Sequence, residues 1–316
     1  MNEHFLTDIE IKQFKCFTDF KASGFKRVNL IGGKNNIGKT ALMEACWINV
    51  YGNNFSHLLT VIAAMKFSRE NLNFVGKDIN GKYLLESTKN YSTISNIHNK
   101  KFSIVIDGAI KEYYLKINEN ESTVNPDKHL ITTSFVDNCD IISSFGWDNQ
   151  KLSDIYQIIQ RKDKESYLND FIHEFDDDID KFKIIGNKPQ CKVNREYRDI
   201  TEFGDGLNSY ISMLCALYAC ENGYLFIDEI DNGIYYEHFD RLWEIILTLS
   251  KETNCQVFAT THSKEMLESF ARVAKKLDEQ DISYTLLVKN KQQELKTISF
   301  DYEMLEYSMS QEHEVR

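Results

Sequence analysis

The sequence is poor in the residues that separate or cross-link domains. It has two prolines and no Gly/Ser-rich stretch, so it lacks the linkers that tether loosely attached domains. Its seven cysteines form no CxxC pair and leave one over, which favours reduced thiols over a disulfide framework or a zinc ribbon. No apolar run approaches the roughly 20 residues of a membrane helix. The start of the chain also lacks the basic and apolar regions of a secretory signal.

Basic residues are outnumbered by acidic ones, 37 to 48, which gives a net charge of −11. This balance favours solubility and disfavours general adhesion to nucleic acid or anionic lipid, although it does not exclude a local basic patch such as Lys12, Lys15, Lys26 and Arg27. Hydrophobic residues make up 42% of the 316 residues, an ordinary globular composition. We expect a soluble, cytoplasmic α/β protein without membrane contact.

The N-terminal region has the pattern of strands followed by a glycine loop and a helix. Ile9, Ile11, Phe14 and Phe17 are separated by two or three residues, which predicts one or two strands. A short apolar strand at 28–31 then runs into glycines, and residues 40–50 are rich in the helix formers Ala, Leu and Met.

From 205 onward, apolar strands alternate with amphipathic helices, as in proteins with a parallel sheet. The patterns predict helices at 207–220, 238–249, 263–276 and 301–310, strands at 224–227 and 256–260, and a hairpin of strands 284–289 and 295–300.

Between these regions, polar stretches at 89–100 and 118–128 alternate with strand-like runs, and helical patterns return later. The strand-like runs are 102–106, 113–117 and 130–135, and the helical patterns are 150–160 and 165–181. We predict a single domain over 1–316 with a lobe inserted at 52–200, β-rich at first and helical afterwards. The acidic triplet at 176–178 falls on the second predicted helix and is expected to be a solvated acidic face.

The residues between the strand at 28–31 and the following helix match the phosphate-binding pattern GxxxxGK[ST]. Glycines in such a loop let backbone N–H groups surround phosphate oxygens, and the helix N-terminus adds its positive dipole end. Lys39 is expected to reach the β- and γ-phosphates, and the Thr40 hydroxyl to bind Mg²⁺. The predicted nucleotide-binding residues here are Gly33, Lys34, Asn35, Asn36, Ile37, Gly38, Lys39, Thr40 and Ala41.

Two strand ends supply the remaining groups that ATP hydrolysis needs. Asp228 and Glu229 follow the apolar strand 224–227, where ligands of α/β sheets bind. We predict that Asp228 holds the metal and that Glu229 polarises the attacking water. His262 follows the next strand, where a histidine can reach and sense the γ-phosphate.

Taken together, these residues resemble the ABC-type ATPase heads of the SMC, RecF and OLD group, often described as AAA family ATP-binding proteins. The resemblance implies an α/β P-loop NTPase fold with a mixed N-terminal β-subdomain, a parallel core sheet flanked by helices, and an inserted lobe. The matching segments are the strand 11–17, the loop 34–40, the acidic segment 226–233 and the segment 260–263.

The family resemblance implies head-to-tail dimers in which a signature loop of one subunit completes the ATP site of the other. Gly204, Asp205 and Gly206 lie where that loop is expected. Two glycines before a helix suit a phosphate received across an interface. The usual signature serine is absent, because Gly204 occupies its place; the family's Q-loop glutamine has no assigned position.

Comparison with the branches of this family narrows the expected role. The chain has no long coiled-coil arm, and only 54 residues follow His262, so a nuclease is expected on a separate protein. The tail 312–316 is similar to that of short OLD-like ATPases paired with a small TOPRIM-type partner in bacterial antiphage systems. The resemblance therefore implies an ATP- and Mg²⁺-dependent regulator of an effector. A RecF-like DNA-binding ATPase of repair or recombination, and an ATP-binding scaffold without turnover, stay open as alternatives.

Overall fold

The computed structural model of the chain describes residues 5–51, 61, 91–95, 101–107, 112–117, 120–124, 138–143 and 146–310. The chain divides into two compact units. Unit 1 comprises residues 1–26, 31–135 and 283–300, and unit 2 comprises residues 27–30, 136–282 and 301–316. Within the described part of the chain, no helix has the length and apolar character needed to cross a membrane.

The described residues form strands and helices of ordinary length. The strands are β1 (Asp8–Phe14), β2 (Phe17–Ser23), β3 (Val28–Gly32), β4 (Tyr91–Ser95), β5 (Lys101–Asp107), β6 (Glu112–Ile117), β7 (Asn120–Val124), β8 (Cys139–Ile142), β9 (Lys181–Ile185), β10 (Lys188–Val193), β11 (Glu196–Asp199), β12 (Tyr224–Ile227), β13 (Gln256–Thr260), β14 (Ile282–Lys289) and β15 (Leu295–Phe300). The α-helices are α1 (Lys39–Tyr51), α2 (Asn149–Arg161), α3 (Glu165–Phe175), α4 (Asp205–Ala219), α5 (Phe239–Glu252), α6 (Lys264–Leu277) and α7 (Tyr302–Ser310), and short 3-10 helices lie at Ile200–Phe203 and Tyr236–His238.

Unit 1 is built on an antiparallel sheet that starts from the N-terminal hairpin. The strand order is β2-β1-β4-β5-β6-β7, so the strands at 91–124 extend the sheet of the hairpin. Ile9 and Ile11 of β1 are buried, as expected where alternate side chains of a strand face the core. Helix α1 lies against β1 and β4. Its residues 41–49 are all buried, which explains why it is mostly apolar instead of amphipathic, with Glu44 and Asn49 as its buried polar residues.

Unit 2 contains a parallel sheet flanked by helices. Strand β12 lies between β8 and β13 and pairs in parallel with both. The first residues of β3 continue this sheet beside β13, where the Val257 N–H donates to the Arg27 carbonyl at 2.7 Å. All residues of β13 are buried, as is typical of a strand covered on both faces. Helices α5 and α6 pack together, with the buried Trp243 against Phe270 at 4.6 Å between ring centroids.

A second, three-stranded sheet completes unit 2. Its order is β11-β10-β9, and all neighbours are antiparallel. One face carries the buried Phe182, whose ring meets Tyr156 of α2 edge to face at 5.3 Å. Helix α3 also lies against β9. The other face of this sheet carries the exposed residues described below.

The helices and strands predicted from residue 205 onward are confirmed to within a few residues, as are the N-terminal strands and α1. The predicted strand at 130–135, the tail 312–316 and much of the 52–200 segment lie outside the described residues. Two strands of that segment were not predicted, because β4 and β7 lie in the polar stretches 89–100 and 118–128. Cross-strand pairing with β1, β5 and β6 stabilises them although their own sequences are polar.

The helix predicted over 165–181 ends at Phe175, and β9 begins at 181. The acidic triplet 176–178 therefore lies in a turn after the helix and not on it. The Asp178 N–H donates to the Asp176 carboxylate at 3.1 Å, a local side-chain bond that competes with helix continuation. The later part of the 52–200 segment is thus helical and then β-stranded, since β9 to β11 follow the two helices.

Two of the basic residues named as a candidate nucleic-acid patch are occupied by structural contacts. Arg27 is buried and forms an ion pair with Glu279 at 2.7 Å. Lys15 forms an ion pair with the buried Glu44. Lys15 and Arg27 of the cluster Lys12, Lys15, Lys26 and Arg27 therefore do not belong to a free basic surface.

The cysteines are free thiols, as their spacing predicted. Six of them are buried or half-buried, and burial raises the pKa of the Cys191 thiol to about 12. A thiol with such a pKa stays protonated and unreactive at neutral pH.

Candidate functional site

The loop between β3 and α1 closes around its own lysine. The Lys39 amino group donates to the carbonyl oxygens of Gly33 at 2.8 Å and Lys34 at 3.1 Å, and the side chain is buried. These contacts hold the ammonium group inside the loop. Phosphate oxygens carry negative charge whereas these carbonyl oxygens are neutral, so a phosphate attracts the ammonium group more strongly.

The loop enters α1 through a backbone conformation that requires glycine. Gly38 has a φ of +113°, and a Cβ atom there would lie 2.7 Å from the Cys16 sulfur. The Leu42 N–H donates to the Gly38 carbonyl at 2.9 Å, which is the first turn of the helix. The positive end of the α1 dipole therefore lies at the loop, as anion binding requires.

A cavity of about 760 Å³ borders this loop within unit 1. Asn36 and Ile37 of the loop line one side, and residues of the β1–β2 hairpin and of the β14–β15 hairpin line the rest. Lys21, Lys289 and Lys296 are among the lining residues. Asp19 and Glu294 line the cavity as well, Lys296 is paired with Glu294 at 3.6 Å, and Lys21 is paired with Glu10, so the cavity beside the phosphate-binding loop has charges of both signs.

In unit 2, the acids predicted to serve the metal and the water follow β12. The Asp228 N–H donates to the Ile142 carbonyl at 2.9 Å, which extends the pairing of β12 with β8 by one residue. Asp228 is half-buried and Glu229 is exposed. Glu229 has a φ of +50°, so the chain turns sharply where the acids leave the sheet.

A threonine at the end of β13 holds both acids. The buried Thr260 hydroxyl donates to the Asp228 carboxylate at 2.6 Å and accepts the Glu229 N–H at 2.8 Å. One oxygen of Asp228 is therefore occupied by Thr260, which fixes the orientation of the carboxylate. The same hydroxyl satisfies the backbone of Glu229 at the turn, so the positions of the two acids are coupled.

The next residue holds a second acid near the predicted histidine. The Thr261 hydroxyl donates to the Asp231 carboxylate at 2.6 Å and accepts the Ser263 N–H at 3.0 Å. Asp231 also lies 3.9 Å from the His262 Nδ1 atom. His262 is about half exposed, with Asp231 near one side of its ring and the other side open.

The 204–206 loop lies against the segment that follows the acids. A Cβ atom on Gly206 would be 1.9 Å from the Gly233 carbonyl, so this close approach requires glycine. The loop begins α4 and borders a cavity of about 770 Å³ in unit 2. The acidic residues that line this cavity are Glu174, Asp176, Asp177 and Asp205.

Comparison with known families identifies the chain. The sequence profile of the AAA ATPase domain family matches residues 48–267, about two thirds of the chain, including Asp228, Glu229 and His262. This protein belongs to the AAA ATPase domain family. The predicted ATPase activity is therefore confirmed at the level of the family.

Among curated proteins, this AAA ATPase is similar to an ATP/GTP phosphatase of Helicobacter pylori (strain ATCC 700392 / 26695), with 23% identity over 86% of this chain and 89% of the relative. Among solved structures it is similar to an SMC head bound to the C-winged helix domain of ScpA, with 15% identity, a TM-score of 0.58, and 95% of this chain and 99% of that chain covered. An SMC head domain with an extended coiled coil, bound to the C-terminal domain of ScpA derived from Pyrococcus furiosus, gives 13% identity, a TM-score of 0.56, and coverage of 97% and 99%.

These likenesses confirm the predicted fold, an ABC-type ATPase head of the SMC kind. The predicted site residues fall into two groups. Residues 33–41 belong to unit 1, whereas 204–206, 228, 229 and 262 belong to unit 2. Within unit 2 the chain brings the acids and His262 to the ends of the neighbouring strands β12 and β13. That both groups serve one nucleotide stays a prediction.

The chemistry of the predicted metal ligands fits Mg²⁺. A threonine hydroxyl, Thr40, and a carboxylate, Asp228, are the oxygen donors that Mg²⁺ prefers, and Mg²⁺ retains several waters in such sites. The contact between Thr260 and Asp228 supports this assignment, because second-shell hydrogen bonds commonly orient a ligating carboxylate.

Three polar residues of this AAA ATPase site were not predicted from the sequence: Thr260, Thr261 and Asp231. The signal that could have found them is the pair of adjacent threonines at the end of an otherwise apolar strand. Successive side chains of a strand point in opposite directions, so two threonines there serve two different partners. Which acids they meet depends on the register of β13 with β12, which the sequence alone does not show.

Proposed function

We propose that this protein hydrolyses ATP with Mg²⁺, forms head-to-tail dimers on ATP, and thereby controls a separate effector protein, a TOPRIM-like nuclease, in antiphage defence. The observation that carries the hydrolytic part is the Thr260 hydroxyl, which ties Asp228 and Glu229 together at the end of β12. A strand end with two coupled acids is suited to organise a metal and a water side by side.

In the proposed reaction, residues 33–41 bind the phosphates through backbone N–H groups, the Lys39 ammonium and the α1 dipole. Thr40 and Asp228 would hold Mg²⁺, which supplies neutralisation of the phosphate charge when bound. Glu229 accepts a hydrogen bond from the attacking water and orients it. His262, which lies 3.9 Å from Asp231 and is half exposed, would contact the γ-phosphate with its open side.

The proposed dimer uses the 204–206 loop as the group that receives the partner copy's nucleotide. The N-terminus of α4 supplies a favourable dipole, and the fit of Gly206 against Gly233 links this loop to the segment after the acids. Asp205 and the neighbouring acids make the surroundings negative. A phosphate approaching this loop therefore needs accompanying cations, such as Mg²⁺ and the lysine of the partner copy's own phosphate loop.

The proposed effector rests on analogy with related proteins. Two of the similar SMC heads are bound to a domain of ScpA, so heads of this fold do receive partner proteins. The nuclease identity and the antiphage role come from the resemblance to short OLD-like ATPases.

The Glu229→Gln variant tests the hydrolytic and dimer parts together. We expect phosphate release to fall by about 10²–10⁴-fold, the usual contribution of a positioned base, while ATP binding is retained. Light scattering should then show a dimer with ATP and a monomer with ADP. Wild-type phosphate release by the variant would contradict the role of Glu229, and a monomer with ATP bound would contradict the dimer.

Native co-purification tests the effector, and repeated recovery of this protein without a nuclease would count against the proposed effector.

A second candidate function is a DNA-binding ATPase of repair or recombination. The overall charge of −11 disfavours it, whereas a local basic surface on the three-stranded sheet favours it.

Phosphate release by the wild type but not by Glu229→Gln would exclude the third alternative, a scaffold without turnover.

A further inference from the structure

The exposed face of the three-stranded sheet is strongly basic in a chain that is otherwise acidic. Residues 181–199 contain six basic and two acidic residues, a net charge of +4, whereas the whole chain carries −11. Four lysines of this segment, Lys181, Lys183, Lys188 and Lys192, form what we call the basic face.

The strand register places these four lysines on one side of the sheet. In β9, Lys181 and Lys183 alternate with the buried Phe182, so both point away from the core. Lys192 of β10 lies directly opposite Lys181. Lys188 lies opposite Ile185, two residues beyond Lys183 and therefore on the same side. Lys181 and Lys183 are about 7 Å apart along β9, Lys192 lies about 5 Å from Lys181 across the two strands, and Lys188 and Lys192 are about 13 Å apart along β10, so the charges form a grid.

The described residues neutralise this grid only in part, since the Asp199 carboxylate interacts electrostatically with Lys188 but forms no ion pair with it. The other face of the sheet packs on α2 and α3, which accounts for the burial of Phe182 and Cys191. Lys181, Lys183 and Lys188 are exposed and Lys192 is half-buried, and none of the four forms an ion pair with a described residue. Tyr197 lies opposite Lys192 and is 37% exposed, which places an aromatic ring among the charges.

Four like charges this close repel one another, which costs free energy unless a polyanion covers them. We propose that the basic face binds the phosphate backbone of a nucleic acid. A nucleic acid supplies evenly repeated negative charges, and Tyr197 offers a ring on which a base can stack. An acidic protein segment lacks the even repeat of charge. The proposal is independent of the effector and dimer proposals, because it concerns a surface formed by β9 to β11.

The test uses the full chain without nucleotide and a fluorescently labelled 30-base-pair duplex and single strand of the same length. We expect binding by anisotropy at about 50 mM salt, with affinity that falls as salt rises at a log–log slope of about −3 to −4. Replacing all four lysines by glutamine should weaken binding at least tenfold and reduce the slope by about 3.

The matched control removes four lysines from another surface of unit 2: Lys251, Lys264, Lys275 and Lys276. These are exposed and each is paired with a carboxylate, so the net charge changes equally while the basic face is kept. We expect this control to bind within twofold of the wild type. Basal ATPase activity and the thermal midpoint should be unchanged in the basic-face variant, which separates loss of binding from loss of folding.

Three results would overturn the proposal. One is absence of binding by the wild type at 50 mM salt, and another is equal weakening by the basic-face and control substitutions. The third is equal displacement of the labelled nucleic acid by polyglutamate and by unlabelled nucleic acid when both are added at the same concentration of negative charge. That result would indicate a site for acidic proteins. Each of these results would leave the ATPase assignment intact, because basal phosphate release is measured separately.

Discussion

Replacing Thr260 by valine tests how the two acids after β12 are held in place. Valine has nearly the same shape as threonine and is equally suited to a buried strand, but it lacks the hydroxyl. The variant therefore loses the donor to Asp228 at 2.6 Å and the acceptor of the Glu229 N–H at 2.8 Å while the packing of β13 is kept.

The expected magnitude follows from these two bonds. A hydrogen bond to a charged group contributes about 1.5–3 kcal/mol, and a neutral one about 1 kcal/mol. Asp228 is half-buried, so water replaces part of the lost stabilisation and the sum is an upper limit. Taking about 1.5–3 kcal/mol as the cost in the transition state, we expect kcat to fall about 10- to 150-fold. The Mg²⁺ concentration for half-maximal activity should rise as well, because the orientation of the metal-binding carboxylate is less fixed.

The assay is steady-state phosphate release over a titration of Mg²⁺, with nucleotide affinity measured separately by a fluorescent ATP analogue. Affinity should stay within about threefold of the wild type, because the loop at 33–41 supplies most of the phosphate contacts. Thr260→Ser keeps the hydroxyl and should retain kcat within about threefold.

Thr285→Val is the matched control for this experiment. Thr285 is also a fully buried strand threonine, but its hydroxyl has no hydrogen-bond partner among the described residues. Its replacement should leave kcat unchanged and stability equal or slightly higher. Wild-type kcat and Mg²⁺ dependence in a folded Thr260→Val variant would refute the reasoning, as would an equal loss in Thr260→Ser.

Lys39→Ala should weaken ATP binding at least about 100-fold in the fluorescent-analogue assay, because the main cation of the phosphate loop is removed; near wild-type affinity would contradict this role. Asp231→Asn should lower kcat about 3- to 10-fold with unchanged ATP affinity, since His262 loses its anionic neighbour. A change in ATP affinity with unchanged kcat would contradict this role of Asp231. The Arg272 guanidinium holds the pKa of the Asp240 carboxyl below its usual 3.8, so the stabilisation exists above about pH 4 and is lost as pH falls through the folded-state pKa. Asp240→Asn should therefore reduce the free energy of unfolding by about 0.5–1 kcal/mol at pH 7, discounted for exposure, and by progressively less as the pH falls through the folded-state pKa; urea unfolding at pH 7 and at a series of acid pH values checks this, and a difference that does not shrink with pH would contradict it.

The fold from residue 205 onward was predictable because its elements are buried on a regular period. Strand 256–260 was predicted with its observed bounds, since the apolar run 257–259 between polar residues fits a strand covered on both faces. Strands 91–95 and 120–124 were missed because pairing with β1, β5 and β6, and not their own composition, makes them strands. The helix after 165 was predicted too long, because the acidic turn at 176–178 is a local hydrogen-bonding arrangement that periodicity does not reveal.

The sequence by itself determined the phosphate-binding loop and the acids after β12, because their chemistry is carried by residues that are neighbours along the chain. Only the tertiary structure decided which side chains hold those acids, since Thr260 and Asp228 are 32 residues apart and meet through strand register. The same holds for the basic face: its lysines are scattered along residues 181–192, and pairing of β9 with β10 gathers them on one side. Contacts between residues distant in sequence depend on how strands pair, and a pattern read along one strand contains no information about its partner.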